Sequence, residues 1–134
     1  MLTHLLDTSV YCQRLRRKPH AGVVRRWREK GDRALAVPAV AEAELLYGLE
    51  KKQSARLWQE YRGYLENRLV LIPVDKGVSV VFARIKAEQE RKGEPRADFD
   101  LLIAATAIEK GLILATLNPR HFKDIPNLKM EDWS

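Results

Sequence analysis

The sequence predicts an α/β fold, a parallel sheet of about five strands covered by helices on both faces, and three observations predict it. Short, wholly apolar runs recur along the chain. Longer helical stretches separate them, with no hairpin turn between any two, and parallel strands need such crossovers. The runs do not alternate apolar with polar residues, as expected for strands buried on both faces. With 134 residues and no linker, repeat or low-complexity tract, the chain reads as one domain spanning 1–134.

The elements follow in order. Thr3 to Leu6 is the first strand, ending abruptly in Asp7, Thr8 and Ser9, after which a helix-like stretch begins. Residues 21–30 (AGVVRRWREK) form an amphipathic helix that stops at Gly31. ALAVP (34–38) is the second strand. A helical pattern starts at Val40, breaks near Lys52–Ser54 and resumes to about Asn67, with Leu57, Tyr61 and Leu65 four apart on one face. With Trp58 these residues exceed what one sheet face needs, so part of this region is expected to pair with a second copy in a homodimer. LVLIPV (69–74) is the third strand, and Pro73 places it near an edge or an end. A helix from Lys76 to Lys92 and the loop KGEPRA (92–97) come next. Then a helix runs from Asp98 to Lys110, with Gly111 as its C-terminal cap. LILAT (112–116) is the fourth strand, and LKM (128–130) supplies a short fifth.

Composition narrows the function classes. No apolar run approaches the roughly 18 residues of a membrane span, so no membrane association is expected. The N-terminus lacks the basic-then-apolar layout of a secretory signal. The one cysteine, Cys12, has no partner for an internal disulfide and reads as core filler, which fits a cytoplasmic protein. The net charge is +6, with bases bunched in RLRRKPH (14–20) and RRWREK (25–30). Such runs attract phosphate backbones, and they also serve as plain solvated helix faces. Arg14, Arg25, Arg26 and Arg28 are the candidates for gripping a nucleic-acid backbone.

The carboxylates carry the chemistry. In a parallel α/β sheet, ligands gather at the carboxyl ends of the strands. Asp7 stands at the end of the first strand and Asn118 just past the fourth. AVAEAELLYG (39–48) offers Glu42 and Glu44, which lie roughly 200° apart on a helix and so cannot both face one site. Glu44 shares its side with small and apolar neighbours, which favours it, although either could be a solvated glutamate. In RADFDLLIAATAIEKG (96–111), Asp98 suits the N-cap position and Asp100 the first turn. There Asp100 either compensates the helix dipole or serves a site. If Asp7, Glu44 and Asp100 converge, they repel one another and raise each other's pKa values. A divalent cation relieves that conflict, and oxygen-only ligands suit Mg²⁺ or Mn²⁺. An acidic metal pocket on a basic protein points to a phosphodiester substrate.

LLDTSVY (5–11), AELLYGLEK (43–51), DLLIAATAIEKGLILAT (100–116) and IPNLKMEDW (125–133) closely resemble PIN-domain ribonucleases, in particular VapC-like toxins of type II toxin–antitoxin pairs. The resemblance spans essentially the whole chain, in order. It implies a five-stranded parallel sheet, Mg²⁺- or Mn²⁺-dependent RNA cleavage, a homodimer and neutralisation by a small antitoxin protein. It assigns the acidic triad to Asp7, Glu44 and Asp100, with Thr8 and Ser9 as supporting hydroxyls. One segment departs: TLNPRHF (116–122) has Asn118 at a ligand position and His121 before Phe122, where family members often carry an acid. His121 is then a substrate-facing base or an ordinary hydrogen-bonded loop residue. Two other classes remain open. A phosphoacceptor receiver domain would use Asp75, after the third strand. A non-catalytic RNA-binding module would bind RNA with or without metal and leave it intact.

Overall fold

In the computed structural model, which describes residues 1–134, five strands form one sheet. β1 (His4–Leu6) lies at its centre. β2 (Leu35–Pro38) and then β3 (Val70–Ile72) flank it on one side, and β4 (Ile113–Thr116) and then β5 (Met130–Asp132) on the other. Every neighbouring pair is parallel. The chain thus builds outward from β1 through β2 to β3, then returns to start the other half at β4. That reversal opens a crevice past the carboxyl ends of β1 and β4. A receiver domain orders its strands 2-1-3-4-5, so this topology removes that reading.

The period of two along each strand sends alternate side chains to opposite faces. Leu5, Ala36 and Leu114 pack with α5 (Lys76–Arg91) and α6 (Asp98–Lys110). Leu6, Leu35, Val37 and Ala115 face the other side, towards α1 (Thr8–Tyr11), α2 (Ala21–Lys30), α3 (Ala39–Lys52) and α4 (Ala55–Tyr64). The two cores hold 16 and 15 buried residues, so neither face is left to solvent, and the strands read as unbroken apolar runs for that reason. β3 is an edge strand, as Pro73 indicated. No helix is long and apolar enough to cross a membrane.

Four expectations need correction. α4 ends at Tyr64 rather than near Asn67, because Leu65 leaves helical geometry and Asn67 adopts a left-handed φ of 60°. The fifth strand is Met130–Asp132 rather than 128–130. Asn127 is left-handed at φ 68° and Leu128 N donates to Ile125 O, so the chain is still turning there. Asp98 is not the N-cap of α6. Ala97 holds that position without a side-chain bond, while the Asp98 carboxylate accepts from Lys86 Nζ at 2.7 Å across the α5–α6 contact. Finally, the α4 face is not spare surface for a partner copy. Tyr61 and Leu65 are 5% and 1% exposed, and Leu57 and Trp58 pack against the same core. The homodimer therefore rests on the family resemblance alone.

The C-terminus is fastened in two ways that the sequence pattern hid. His4, buried in β1, shares a 2.9 Å hydrogen bond with Glu131, which also accepts from Trp133 Nε1. Trp133 is fully buried, and its carbonyl lies over Gly22 at the start of α2. A Cβ on Gly22 would come within 2.5 Å of that carbonyl oxygen, a contact with backbone that cannot swing aside. Gly48, midway along α3, has nothing within 4 Å. Gly22→Ala is expected to cost about 1–3 kcal/mol through overpacking, and Gly48→Ala to gain up to ~1 kcal/mol from helix propensity. Thermal and urea melts of the two variants read both signs; equal behaviour would refute this packing of the C-terminus.

Candidate active site

Asp7 leaves β1 with extended backbone and caps α1. Its Oδ1 accepts from Val10 N at 3.0 Å and from Ser9 Oγ at 2.7 Å, and its Oδ2 accepts from Thr116 Oγ1 at 2.5 Å. The same hydroxyls work in both directions. Thr116 Oγ1 accepts from Asn118 N, and Ser9 Oγ accepts from Leu117 N. Three hydrogen bonds from neutral groups thus fix a carboxylate that is 4% exposed, and they lace the end of β1 to the end of β4. Thr116 was absent from the sequence reading. A threonine closing an apolar strand looks like any β-former, and its partner lies 109 residues away.

The other two acids arrive from helices. Glu44, on the second turn of α3, accepts from Thr8 Oγ1 at 2.5 Å, so the residue after Asp7 holds it at the same crevice. Asp100, in the first turn of α6, is partly buried, and its Oδ2 lies 3.5 Å from His121 Nδ1. Glu42 points elsewhere, as the helical spacing required. It accepts from Tyr11 and Tyr61 hydroxyls at 3.1 and 2.8 Å and joins α1, α3 and α4. Asp75 caps α5 and pairs with Lys110, a structural role that leaves no acceptor chemistry. The Asn118 side chain stands exposed beyond β4, with its carboxamide free of protein partners.

Burial shapes the electrostatics more than repulsion does. Desolvation pushes the Asp7 carboxyl above its ordinary value, against the hydrogen bonds from Ser9, Thr116 and Val10 that lower it. The charge of Asp100 raises it further but is the smallest contribution. Asp100 is also raised by burial, while His121 and Arg96 pull it down. The expected mutual repulsion is therefore real between Asp7 and Asp100 but secondary. No lysine or arginine pairs with Asp7, Glu44 or Asp100.

No three acidic, histidine or cysteine side chains are gathered tightly enough to enclose a metal ion. Glu44 is drawn to Thr8 and Asp100 to His121, so the acids share a crevice without closing a cage. The donor set still fits a hard cation. It is all oxygen, it contains a buried carboxylate without a counter-charge, and Mg²⁺ keeps several of its own waters where protein ligands are few.

The candidate RNA-gripping arginines divide. Arg14, Arg25 and Arg28 are all exposed, and of these the Arg14 guanidinium lies over the Trp27 ring at 5.7 Å. Arg26 is tied to Gly22 O and to Ser134 O at the C-terminus. A different basic surface adjoins the acids. A cleft of about 910 Å³ opens beside Thr8 and Glu44 and is lined by Arg16, Arg17, Lys18, Lys52 and Arg56. Three of these belong to the RLRRKPH run, but the other two are contributed by α3 and the start of α4, a grouping that only folding creates.

Comparison with known proteins places this architecture. A family model described as PIN domain matches residues 4–128. The chain is 33% identical over 135 residues to the tRNA(fMet)-specific endonuclease VapC of Shigella flexneri, with 100% of each covered. Among solved structures, DNA-bound VapBC from Salmonella typhimurium superposes with a TM-score of 0.88 at 31% identity over 100% of both chains. VapBC2 from Rickettsia felis, bound to a promoter DNA fragment, gives 0.84 at 28% identity over 99% of this chain and 100% of that one.

The raised carboxyls make the metal-free protein pH-sensitive. A native pKa above the unfolded value means that the folded state binds the proton more tightly. The contribution of Asp7 and Asp100 to stability is then fully present below the ordinary carboxylate range and is lost as pH rises through the raised value. Asp7→Asn keeps an oxygen for Val10 and Ser9 and removes the buried charge. In chelator at pH 7 the variant is expected to melt higher than wild type, with the gap narrowing below about pH 4. Melts across that range test this; a variant less stable at pH 7 would show that hydrogen bonding outweighs burial.

Proposed function

This chain belongs to the PIN-domain family, and from that we propose that it is a metal-dependent endoribonuclease serving as the toxin of a toxin–antitoxin pair in the cytoplasm. The observation that carries the reading is the buried Asp7 carboxylate at the ends of β1 and β4, which feels the charge of Asp100, with Glu44 held by Thr8 on the wall of a basic cleft. Support for the toxin role comes from the VapC relatives and from VapBC complexes of the same fold.

Asp7, Asp100 and Glu44 are the residues that would hold Mg²⁺ or Mn²⁺. Such an ion supplies polarisation of a phosphate oxygen and a water of lowered pKa. Ser9, Val10 and Thr116 keep the Asp7 carboxylate in one orientation, and Thr8 does the same for Glu44. Arg16, Arg17, Lys18, Lys52 and Arg56 grip the RNA backbone on the approach to the acids. Arg25 and Arg28 extend that field. The antitoxin is a small protein that masks this face.

The aspartate pair at the start of α6 provides the test. Asp98 is exposed and bonded to Lys86, so Asp98→Asn is expected to leave stability and cleavage nearly unchanged, as for other surface ion pairs. Asp100→Asn takes a unit of charge from the cation site and is expected to abolish most Mg²⁺-dependent cleavage while the metal-free fold stays intact. Cleavage of total RNA and of tRNA(fMet), with Mg²⁺ and with chelator, reads both variants. An Asp100→Asn protein that cuts at the wild-type rate would falsify the assignment. A wild type that binds RNA equally with and without metal and leaves it whole would make the chain a binding module.

A second measurement concerns the cleft. Removing charge at Arg16, Arg17 and Lys52 is expected to weaken RNA binding across sequences and to flatten its salt dependence, by roughly 0.7 units of logarithmic slope per lost single-strand phosphate contact. Charge removal at Arg14 and Arg26 should alter the slope less per charge removed. Isotherms at several salt concentrations decide, and an unchanged slope for the cleft variant moves the RNA path elsewhere.

A further inference from the structure

The loop after β4 is held by one residue that the reading so far leaves without a role. Arg96, in the segment before α6, donates Nη1 to the His121 carbonyl at 2.8 Å and to the Arg120 carbonyl at 3.3 Å, and Nη2 to the Lys123 carbonyl. Its Nε donates to Gln89 Oε1 at 3.1 Å. A planar guanidinium can serve four acceptors at once, which a lysine ammonium on its flexible stem cannot. The anchor is itself unusual. Gln89 is fully buried on α5, and its Nε2 has no hydrogen-bond partner. An orphaned buried amide nitrogen is costly, and an apolar side chain would avoid the cost. The retained function of Gln89 is to present Oε1 to Arg96.

The clamp bears on the acids through a short path. The backbone it holds carries His121, whose Nδ1 lies 3.5 Å from Asp100 Oδ2. The same loop begins at Asn118, which is bonded to Thr116 and through it to Asp7. The 3-10 turn Pro119–His121 makes few bonds of its own: His121 N donates to Asn118 O, and Phe122 N to Pro119 O. Without Arg96, the 120–123 backbone would have no side-chain hydrogen bond to the body of the protein, leaving the turn to the buried Phe122 and Ile125 side chains, the Asn118–Thr116 bond and the His121–Asp100 approach.

We infer that Arg96 is a positioning residue for RNA cleavage, which fixes the 120–123 backbone so that the His121 imidazole stands at Asp100, facing the substrate. The inference rests on the ribonuclease reading above for its effect on rate, but the clamp itself does not depend on that reading. Arg96 acts through geometry rather than charge, and His121 is the group through which it acts. Displacing a substrate-facing group by about 1 Å can cost on the order of a hundredfold in rate.

Two sets of measurements test it. In the metal-free protein, Arg96→Ala and Arg96→Lys should each speed trypsin nicking after Arg120 and Lys123 several-fold over wild type, with cutting at sites other than residue 96 itself unchanged. Nicking at the wild-type rate in both variants overturns the clamp, whatever the protein cleaves. For cleavage of RNA in Mg²⁺, Arg96→Ala and Arg96→Lys should lose kcat to a similar extent, at least tenfold, with KM changed less. His121→Ala should lose at least as much. The double variant Arg96→Ala, His121→Ala should be no slower than His121→Ala alone, a non-additivity that general loosening of the fold would not produce. An Arg96→Lys protein with wild-type kcat shows that charge suffices and overturns the inference, as does a double variant that loses the product of the single effects. Failure of the wild type to cleave any RNA, with nicking still accelerated, overturns the catalytic role but leaves the clamp standing.

Discussion

The molecule is organised around a carboxylate that should not be inside it. Asp7 is almost fully buried at the end of the central strand, where desolvation opposes its charge. It remains tolerable because three neutral donors fix it, Val10 and Ser9 from the start of α1 and Thr116 from the end of β4. Removing the carboxylate would therefore break a side-chain tie between α1 and the end of β4, beyond the backbone pairing of β1 with β4, as well as alter the charge. Placing it elsewhere on the sheet would forfeit the one position where the chain reverses direction and opens a crevice.

The remaining acids depend on that placement. Thr8, forced to the mouth of the crevice by the α1 cap, is the residue that reaches Glu44. α6 crosses the opposite core face with small residues (Ala104, Ala105 and Ala107, all buried), which lets its N-terminus approach the sheet edge and bring Asp100 within electrostatic range of Asp7. Because the acids stop short of a closed cage, the preorganisation lies in the second layer of hydroxyls rather than in the acids themselves. The same layering explains why Thr8, Ser9 and Thr116 are hydroxyl residues and not apolar ones of similar size.

Much of this was legible in the residues. An apolar strand that stops at Asp-Thr-Ser, a glutamate among small neighbours and a pair of aspartates opening a helix are local patterns, and each gave the right element. The helical spacing of Glu42 and Glu44 also put them on different sides of α3, where Glu42 meets Tyr11 and Tyr61 and Glu44 meets Thr8. What stayed hidden was held by partners distant in sequence. Thr116 and Asp7, Arg96 and the 120–123 carbonyls, His4 and Glu131 are side-chain bonds over long separations, and no periodicity encodes them. The Asp98 cap failed for a subtler reason. Cap propensity favours Asp98 over Ala97, but the Asp98 carboxylate is engaged by Lys86 on the neighbouring helix and Ala97 takes the cap position.

The charge distribution then gives a physical account of why this site needs both of its halves. The protein carries +6 overall, yet its crevice holds three carboxylates with no lysine or arginine bonded to any of them. A polyanion is drawn to the basic cleft and repelled at its inner end. On the proposed reading, approach of a phosphate to Asp7 would require a compensating positive charge among the acids, and an all-oxygen donor set would suit a hard cation in that role. Asn118 and His121 fit the same balance. At positions where family members often add an acid, this chain places a neutral amide and an imidazole, which limits the negative charge that must be offset. The consequence is a site whose loop contributes orientation rather than further ligation, and whose orientation is set by the backbone carbonyls of residues 120, 121 and 123 that Arg96 gathers.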